Sequence, residues 1–257
     1  MIIDTIEEHI VELDSMKKYP DELFYIGNLE LLQKPKIAIV GSRKPIQYTC
    51  NMTAQLSQKL SDAGVTIVSG SAMGVDAIAH KSAGFDNTIA VMANGLDIFY
   101  PMVNKSLIQN IQSQGLVLSK YKAGQTATKY NFVHRNEIVV ALGNILIITQ
   151  ADIKSGSMRS AEYAKKMGKE IYVLTHRMMD SEGTNKLLQD GLAKPIYDID
   201  TFIENLGLQF KQNLNEFMTY CNTMPTYDEA IKLYPQEVFE YELSGKIKIQ
   251  NGIISIL

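Results

Sequence analysis

Short apolar runs alternate with amphipathic stretches through most of this 257-residue chain. The runs at 37–40 (IAIV), 66–68 (TIV), 88–92 (TIAVM), 116–118 (LVL), 145–148 (ILII) and 171–174 (IYVL) are β-branched and almost continuously apolar. Strands covered on both faces of a parallel sheet read this way, whereas strands with one wet face alternate. Segments between them, at about 46–63, 72–83, 104–114, 131–142 and 157–168, carry helical spacing. Several stop at a glycine suited to a helix C-terminus, as in Asp62-Ala63-Gly64 and Lys166-Met167-Gly168. Strand–helix–strand repetition with short connections predicts an α/β fold: a Rossmann-like, doubly wound, mainly parallel sheet over residues 36–208.

The ends of the chain break this rhythm. Residues 1–35 are charged and end at Pro35, and they predict a short helical lead-in. Residues 209–215 (QFKQNLN) are polar and read as a linker. Beyond them, 216–257 predicts a helix, a turn at Pro225, a second helical piece and a closing hairpin. The hairpin signal is Asn251-Gly252 inside the alternating stretch KIKIQNGIISI. Helices followed by a hairpin in so few residues suggest a small winged-helix-like domain.

Composition narrows the class. With 46% hydrophobic and 21% charged residues, the chain reads as an ordinary globular protein. No apolar run reaches the roughly 18 residues of a membrane span. The acidic, amphipathic start MIIDTIEEHIVELD lacks the basic region and apolar core of a signal peptide. Cys50 and Cys221 are distant and have no CxxC spacing, so a disulfide scaffold is not indicated and a cytoplasmic setting is expected. Both cysteines read as small apolar residues rather than nucleophiles. The net charge of −3 conceals a basic middle: residues 120–177 hold ten Lys/Arg against four Asp/Glu. Such a segment fits either an anionic partner met at one face or a solvated helix surface.

Three glycine-containing turns follow strands and open helices: Gly41-Ser42-Arg43, Ser69-Gly70, and Ser155-Gly156-Ser157. In a parallel sheet such turns share the edge beyond the strand carboxyl ends. Glycine permits close backbone approach, serine adds hydroxyl donors, and free N–H groups at helix starts favour anions. A phosphate-binding crevice is therefore expected, with Arg43 at its mouth. None of the turns is GxGxxG or GxxxxGK[ST], so no cofactor and no ATP hydrolysis are expected.

A second constellation is Lys129-Tyr130-Asn131-Phe132-Val133-His134-Arg135-Asn136. Cations interleaved with rings suit single-stranded nucleic acid, with Lys129 and Arg135 on phosphates and Phe132 under a base. Phe132 could equally staple the helix that follows it. His9, His80, His134 and His176 form no HxH or HxxxH pair, so no metal site is expected. His134 reads as a polar neighbour of Arg135 able to meet a phosphate when protonated. Lys166 joins the candidate DNA contacts on charge and placement.

Together the motifs VGSR with Tyr48, SGSAMGVDAIAH (69–80), GLDIFYP with Asn104, FVHRN (132–136), SGSMRSAEYA (155–164) and GTNKLLQDG (183–191) resemble the DprA/Smf family. The resemblance runs from about Tyr19 to Leu208, with the tail similar to the winged-helix domain of many members. It implies a cytoplasmic, homodimeric single-stranded-DNA-binding protein that protects incoming DNA in natural transformation and helps load the RecA recombinase. An enzymatic alternative also stands. Related Rossmann-like nucleotide-binding and phosphoribohydrolase proteins place a glutamate after the corresponding turn, and Glu162 is available here. Glu162 could instead pair with Lys165 or Lys166 on its helix.

Overall fold

The computed structural model describes residues 2–208 and 216–256. The chain forms two compact units, Met1–Phe210 and Lys211–Leu257. The expected linker at 209–215 lies outside the described residues.

In chain order the first unit runs β1 (Asp4–Thr5), β2 (Phe24–Gly27), β3 (Lys36–Val40), α1 (Gln47–Asp62), β4 (Thr66–Ser69), α2 (Val75–Ala83), β5 (Thr88–Val91) and α3 (Lys105–Gln114). It continues through β6 (Leu116–Ser119), α4 (Lys129–Leu142), β7 (Ile145–Ile148), α5 (Gly156–Lys166), β8 (Ile171–Leu174), α6 (Glu182–Gln189), β9 (Lys194–Ile196) and α7 (Ile199–Asn205). Among the described residues its strands make one nine-stranded sheet, ordered β1-β2-β6-β5-β4-β3-β7-β8-β9. The pairs from β6 through to β9 are parallel, and β1 and β2 are antiparallel at one edge.

The apolar runs form strands because both sheet faces are covered. Ile37 and Ile39 of β3 pack with Leu56, Leu60, Val75 and Ala79 of α1 and α2. The alternate residues Ala38 and Val40 pack on the other face with α4 and with Ala161 and Ala164 of α5. Each fully buried Ile, Leu or Val side chain among them contributes roughly 1.5–3 kcal/mol. The continuous apolar pattern and the period-two side-chain alternation thus coexist in one strand.

The first 35 residues correct the expected helical lead-in. Their helical pieces are two five-residue 3₁₀ turns, Val11–Ser15 and Leu29–Gln33, too short to stand as α-helices. Between them β2 pairs with β6, filling a sheet edge that would otherwise expose unpaired backbone groups. Leu13, Leu23 and Leu31 enter the same core as the central strands. The buried Lys36 amine binds the Leu32 carbonyl at 2.6 Å and Glu12 Oε1 at 2.6 Å, fastening this segment to β3.

The second unit contains α8 (Glu216–Cys221), α9 (Tyr227–Leu233), α10 (Pro235–Leu243), β10 (Ile247–Gln250) and β11 (Ile253–Ile256). The stretch expected as one helix after Pro225 is two: Tyr234 leaves helical geometry and Pro235 opens α10. Thr226 and Glu229 form a reciprocal cap on α9. Asn251 and Gly252 both take positive φ, 54° and 76°, as a two-residue hairpin turn requires. Phe217, Cys221, Ala230, Val238, Ile247 and Ile254 make the core of this unit. Burial pushes the Cys221 thiol pKa up, consistent with an inert packing role. Among the described residues no helix is long and apolar enough to cross a membrane.

Candidate functional site

The chain winds from β3 through β4 and β5 to β6 on one side, then returns to lay β7 against the other side of β3. Ligand crevices in open α/β sheets form at such a reversal, beyond the strand carboxyl ends. A cleft of about 940 Å³ opens there. It is lined by Gly41, Ser42 and Arg43 after β3, Gly70 after β4, Lys129, Phe132, Arg135 and Asn136 of α4, and Ser155, Gly156 and Ser157 at the start of α5. Residues separated by more than one hundred positions are thus brought together. Apart from His134, which faces a different cleft, every expected site residue except Ser69 and Lys166 lines this cleft.

Those two are placed elsewhere. Ser69 is fully buried, and its hydroxyl donates to the Ile39 carbonyl at 2.6 Å, tying β4 to β3. Lys166 is the last residue of α5. That helix starts at the cleft and runs away from it, so ten rises of 1.5 Å put Lys166 about 15 Å toward the opposite sheet edge.

Arg135 has a different task from the one its charge suggests. It is 4% exposed, donates from Nη1 to the Val91 carbonyl at 3.3 Å, and faces Asp76 Oδ2 at 3.7 Å. It is a buried floor of the cleft. Burial raises the Asp76 pKa, with the Arg135 charge opposing that shift. Gly70 is the glycine that lets this guanidinium pass, since an added Cβ would lie 1.2 Å from Arg135 Nη1.

The turn glycines mostly make room for protein rather than ligand. Gly74, with φ 77°, would drive a Cβ to 2.4 Å from the Ser42 carbonyl oxygen. That carbonyl accepts the Val75 amide at 3.1 Å, so the first two turns pack against each other. Gly74 and the left-handed Ser71 (φ 52°) also delay α2 to Val75, later than its spacing suggests. His80 supports the same turn from below. Its Nε2 accepts the Ser71 amide at 3.3 Å, and Nδ1 lies 2.6 Å from Thr88 Oγ1. Desolvation lowers the His80 pKa to about 3. Gly156 differs, because its Cβ position has only Asn136 Nδ2 nearby at 3.7 Å and leaves space on the cleft side.

Phe132, half-buried, is the centre of an aromatic and cationic group. The Arg43 guanidinium lies 5.2 Å from its ring centroid, that of Arg135 5.8 Å, and the Tyr100 ring 5.6 Å. α4 is capped independently: Thr128 Oγ1 accepts the Asn131 amide at 3.2 Å.

Charge in the cleft is uneven. Arg43, Lys44, Lys129 and Arg159 are exposed lining residues. Among the described residues none of them forms an ion pair. The carboxylates lining the same space are Asp152 and the Asp76 already facing Arg135. α4 and α5 both begin here without an acidic residue in the first turn. The Ser155 hydroxyl caps α5 through the Met158 amide at 3.3 Å, leaving the preceding amides directed out of the helix end. A positive surface unpartnered among the described residues, beside positive helix ends, has the electrostatics that favour an anion.

Lys44, Tyr100, Tyr130 and Arg159 line the cleft but were not among the expected contacts. Each has a sequence signal: Lys44 follows Arg43, Tyr100 sits in GLDIFYP, Tyr130 in KYNF, and Arg159 in SGSMRS. Glu162 is exposed on α5 outside the cleft, and the expected pair with Lys165 or Lys166 is absent among the described residues.

Fold and site define a Rossmann-like α/β protein with a cationic, ring-bearing cleft at its topological switch point. Comparison with known proteins is specific: the sequence profile of DNA recombination-mediator protein A matches residues 2–207, and the chain belongs to that family. DNA processing protein DprA of Streptococcus pneumoniae is 38% identical over 184 residues, covering 70% of this chain and 65% of that protein. Protein Smf of Escherichia coli is 33% identical over 193 residues, covering 73% of this chain and 51% of that protein. The chain thus spans about half to two thirds of the length of these relatives. The solved DNA processing protein A of Helicobacter pylori, described for its single-stranded DNA binding mode, is 41% identical with a TM-score of 0.78. That match covers 79% of this chain and 95% of the solved one. The S. pneumoniae structure is 34% identical with a TM-score of 0.73, covering 81% and 75% respectively.

Proposed function

We propose that this protein binds single-stranded DNA in the cleft at the β3–β7 switch point. The observation carrying this reading is the set of cations Arg43, Lys44, Lys129 and Arg159, unpaired among the described residues, lining the cleft that holds the Phe132 ring, with Arg43 5.2 Å from the ring centroid. Phosphates require cations, and unpaired bases offer faces that an aromatic side chain can stack upon. Duplex DNA hides those faces, so the ring favours single strands. The binding mode described for the H. pylori relative supports the same assignment. In cells the protein protects incoming DNA during natural transformation, helps load the RecA recombinase, and acts as a cytoplasmic homodimer that is not an enzyme. The second unit is a winged-helix-like domain serving protein contacts. The test is a salt titration of binding to oligo-dT and to matched duplex. The single strand should bind more tightly, with a steep fall in affinity as salt rises. Equal affinity for both forms would overturn the reading. Light scattering at micromolar protein should give a dimer mass, and a monomer with intact affinity would remove the dimer from it.

A further inference from the structure

A second cleft, of about 370 Å³, lies on the far side of the first turns of α4. Its walls come from residues 16–22, from Lys120, Tyr121, Lys122 and Gln125, and from the α4 side chains His134 and Glu137. The two clefts share a partition. Tyr130 lines the first and is 72% exposed, while His134, one helical turn later, lines the second. Their rings meet edge-on with centroids 4.2 Å apart.

The charges of the second cleft sort into paired and unpaired groups. Lys18 binds Asp21 at 2.8 Å, and Lys122 binds Glu22 at 2.9 Å. Glu137 is 7% exposed and accepts the Lys17 backbone amide at 3.1 Å, so its carboxylate is held in the wall. Two cations remain. The Lys17 and Lys120 amines have no ion-pair partner among the described residues, and the Lys120 amine lies 5.9 Å from the Tyr121 ring centroid. Ammonium groups unpaired among the described residues, one of them over a half-buried ring, repeat on a smaller scale the chemistry of the main cleft.

We infer that the second cleft is a continuation of the strand path: DNA leaving the main cleft passes over Tyr130 and His134 and sets its next phosphates on Lys120 and Lys17. This rests on the single-strand reading of the main cleft and deepens it. Tyr130 offers a ring at the crossing, where a base can stack. The contribution is electrostatic and additive, because two ammonium groups neutralise about two phosphates.

The experiment measures binding of oligo-dT of about six and about twenty nucleotides, lengths that bracket a short and an extended binding site. It compares the full chain with its Lys17→Glu, Lys120→Glu double variant. Neither lysine lines the main cleft, so the short oligonucleotide should bind as before. The long one should bind about tenfold more weakly, with a salt slope lower by about 1.4, given 0.7 per phosphate on single strands. A Lys17→Gln, Lys120→Gln pair, which reverses no charge, should show the same pattern at about threefold. Phe132→Ala should weaken both lengths. Unchanged binding of the long oligonucleotide, or an equal loss at both lengths, overturns the continuation. Either result would leave the cleft to an acidic protein segment. Failure of the unaltered protein to bind oligo-dT of either length would instead take down the reading of the main cleft itself.

Discussion

Gly70 and Arg135 interlock: the guanidinium occupies the space a side chain at position 70 would fill, with Nη1 only 1.2 Å from the Cβ site. The contact joins the β4 turn to α4 and sets the floor beneath Phe132 and Arg43. Arg135 cannot retreat easily, being 4% exposed and held by the Val91 carbonyl and Asp76.

Gly70→Ala should therefore cost stability as if the buried Arg135–Asp76 pair were broken, about 3 kcal/mol by urea unfolding. In an Arg135→Met background the same substitution should cost less than about 1 kcal/mol, because the clash is gone. Additive losses would show that Gly70 acts independently of Arg135.

Arg43 and Phe132 should divide the work of DNA binding. Arg43→Glu reverses a charge at the cleft and should reduce both affinity and salt slope. Phe132→Ala should cost about 1–3 kcal/mol of affinity with less change in slope, since stacking releases few counterions. Equal slopes in the two variants would contradict this division.

The neutral His80 couples folding to pH. Its folded pKa of about 3 lies below the ordinary value of 6.5. The unfolded chain therefore binds the proton first as pH falls, and the native state loses stability below about pH 6.5, by up to 1.4 kcal/mol per pH unit. Desolvation of the fully buried ring is the main cause and the Arg135 charge adds to it, while the Ser71 amide donated to Nε2 fits a neutral imidazole. His80→Gln should be destabilised at pH 7, and its deficit should shrink by up to about 2 kcal/mol at pH 5. A deficit constant over that range, read from urea unfolding, would assign His80 a role in packing alone.

Removal of the second unit should spare oligo-dT binding. Residues 215–257 carry Lys232, Lys246 and Lys248 against Glu216, Asp228, Glu229, Glu237, Glu240 and Glu242, a balance of −3. A module of that sign releases few counterions. Truncation after Gln212 should leave affinity within a few-fold and the salt slope nearly unchanged. A loss of about tenfold, or 1.4 kcal/mol, in a folded dimeric truncation would make the tail a DNA-binding domain.

The local residue pattern fixes the central fold. The six apolar runs became strands, and the intervening helices follow, because burial on both faces writes a pattern into consecutive residues. It also determined most of the cleft, since turns after parallel strands share one edge whatever the detailed packing. The hairpin at Asn251-Gly252 was legible for a local reason too: its turn needs two positive φ values. Other features depended on partners far along the chain. Phe24–Gly27 is a strand because the edge of β6 accepts it, and nothing within residues 1–35 specifies that pairing. Ser69 and Gly70 are neighbours in one turn, yet one is bonded into the sheet and the other opens a passage for Arg135. Charge on Arg135 was visible, but its burial against Asp76 was not, because burial belongs to the assembled layers. Lys166 shares a helix with Ser157, and only the direction of α5 removes it from the cleft. The second cleft was least legible of all, because it exists only where the Lys17 amide reaches Glu137 across 120 positions of chain.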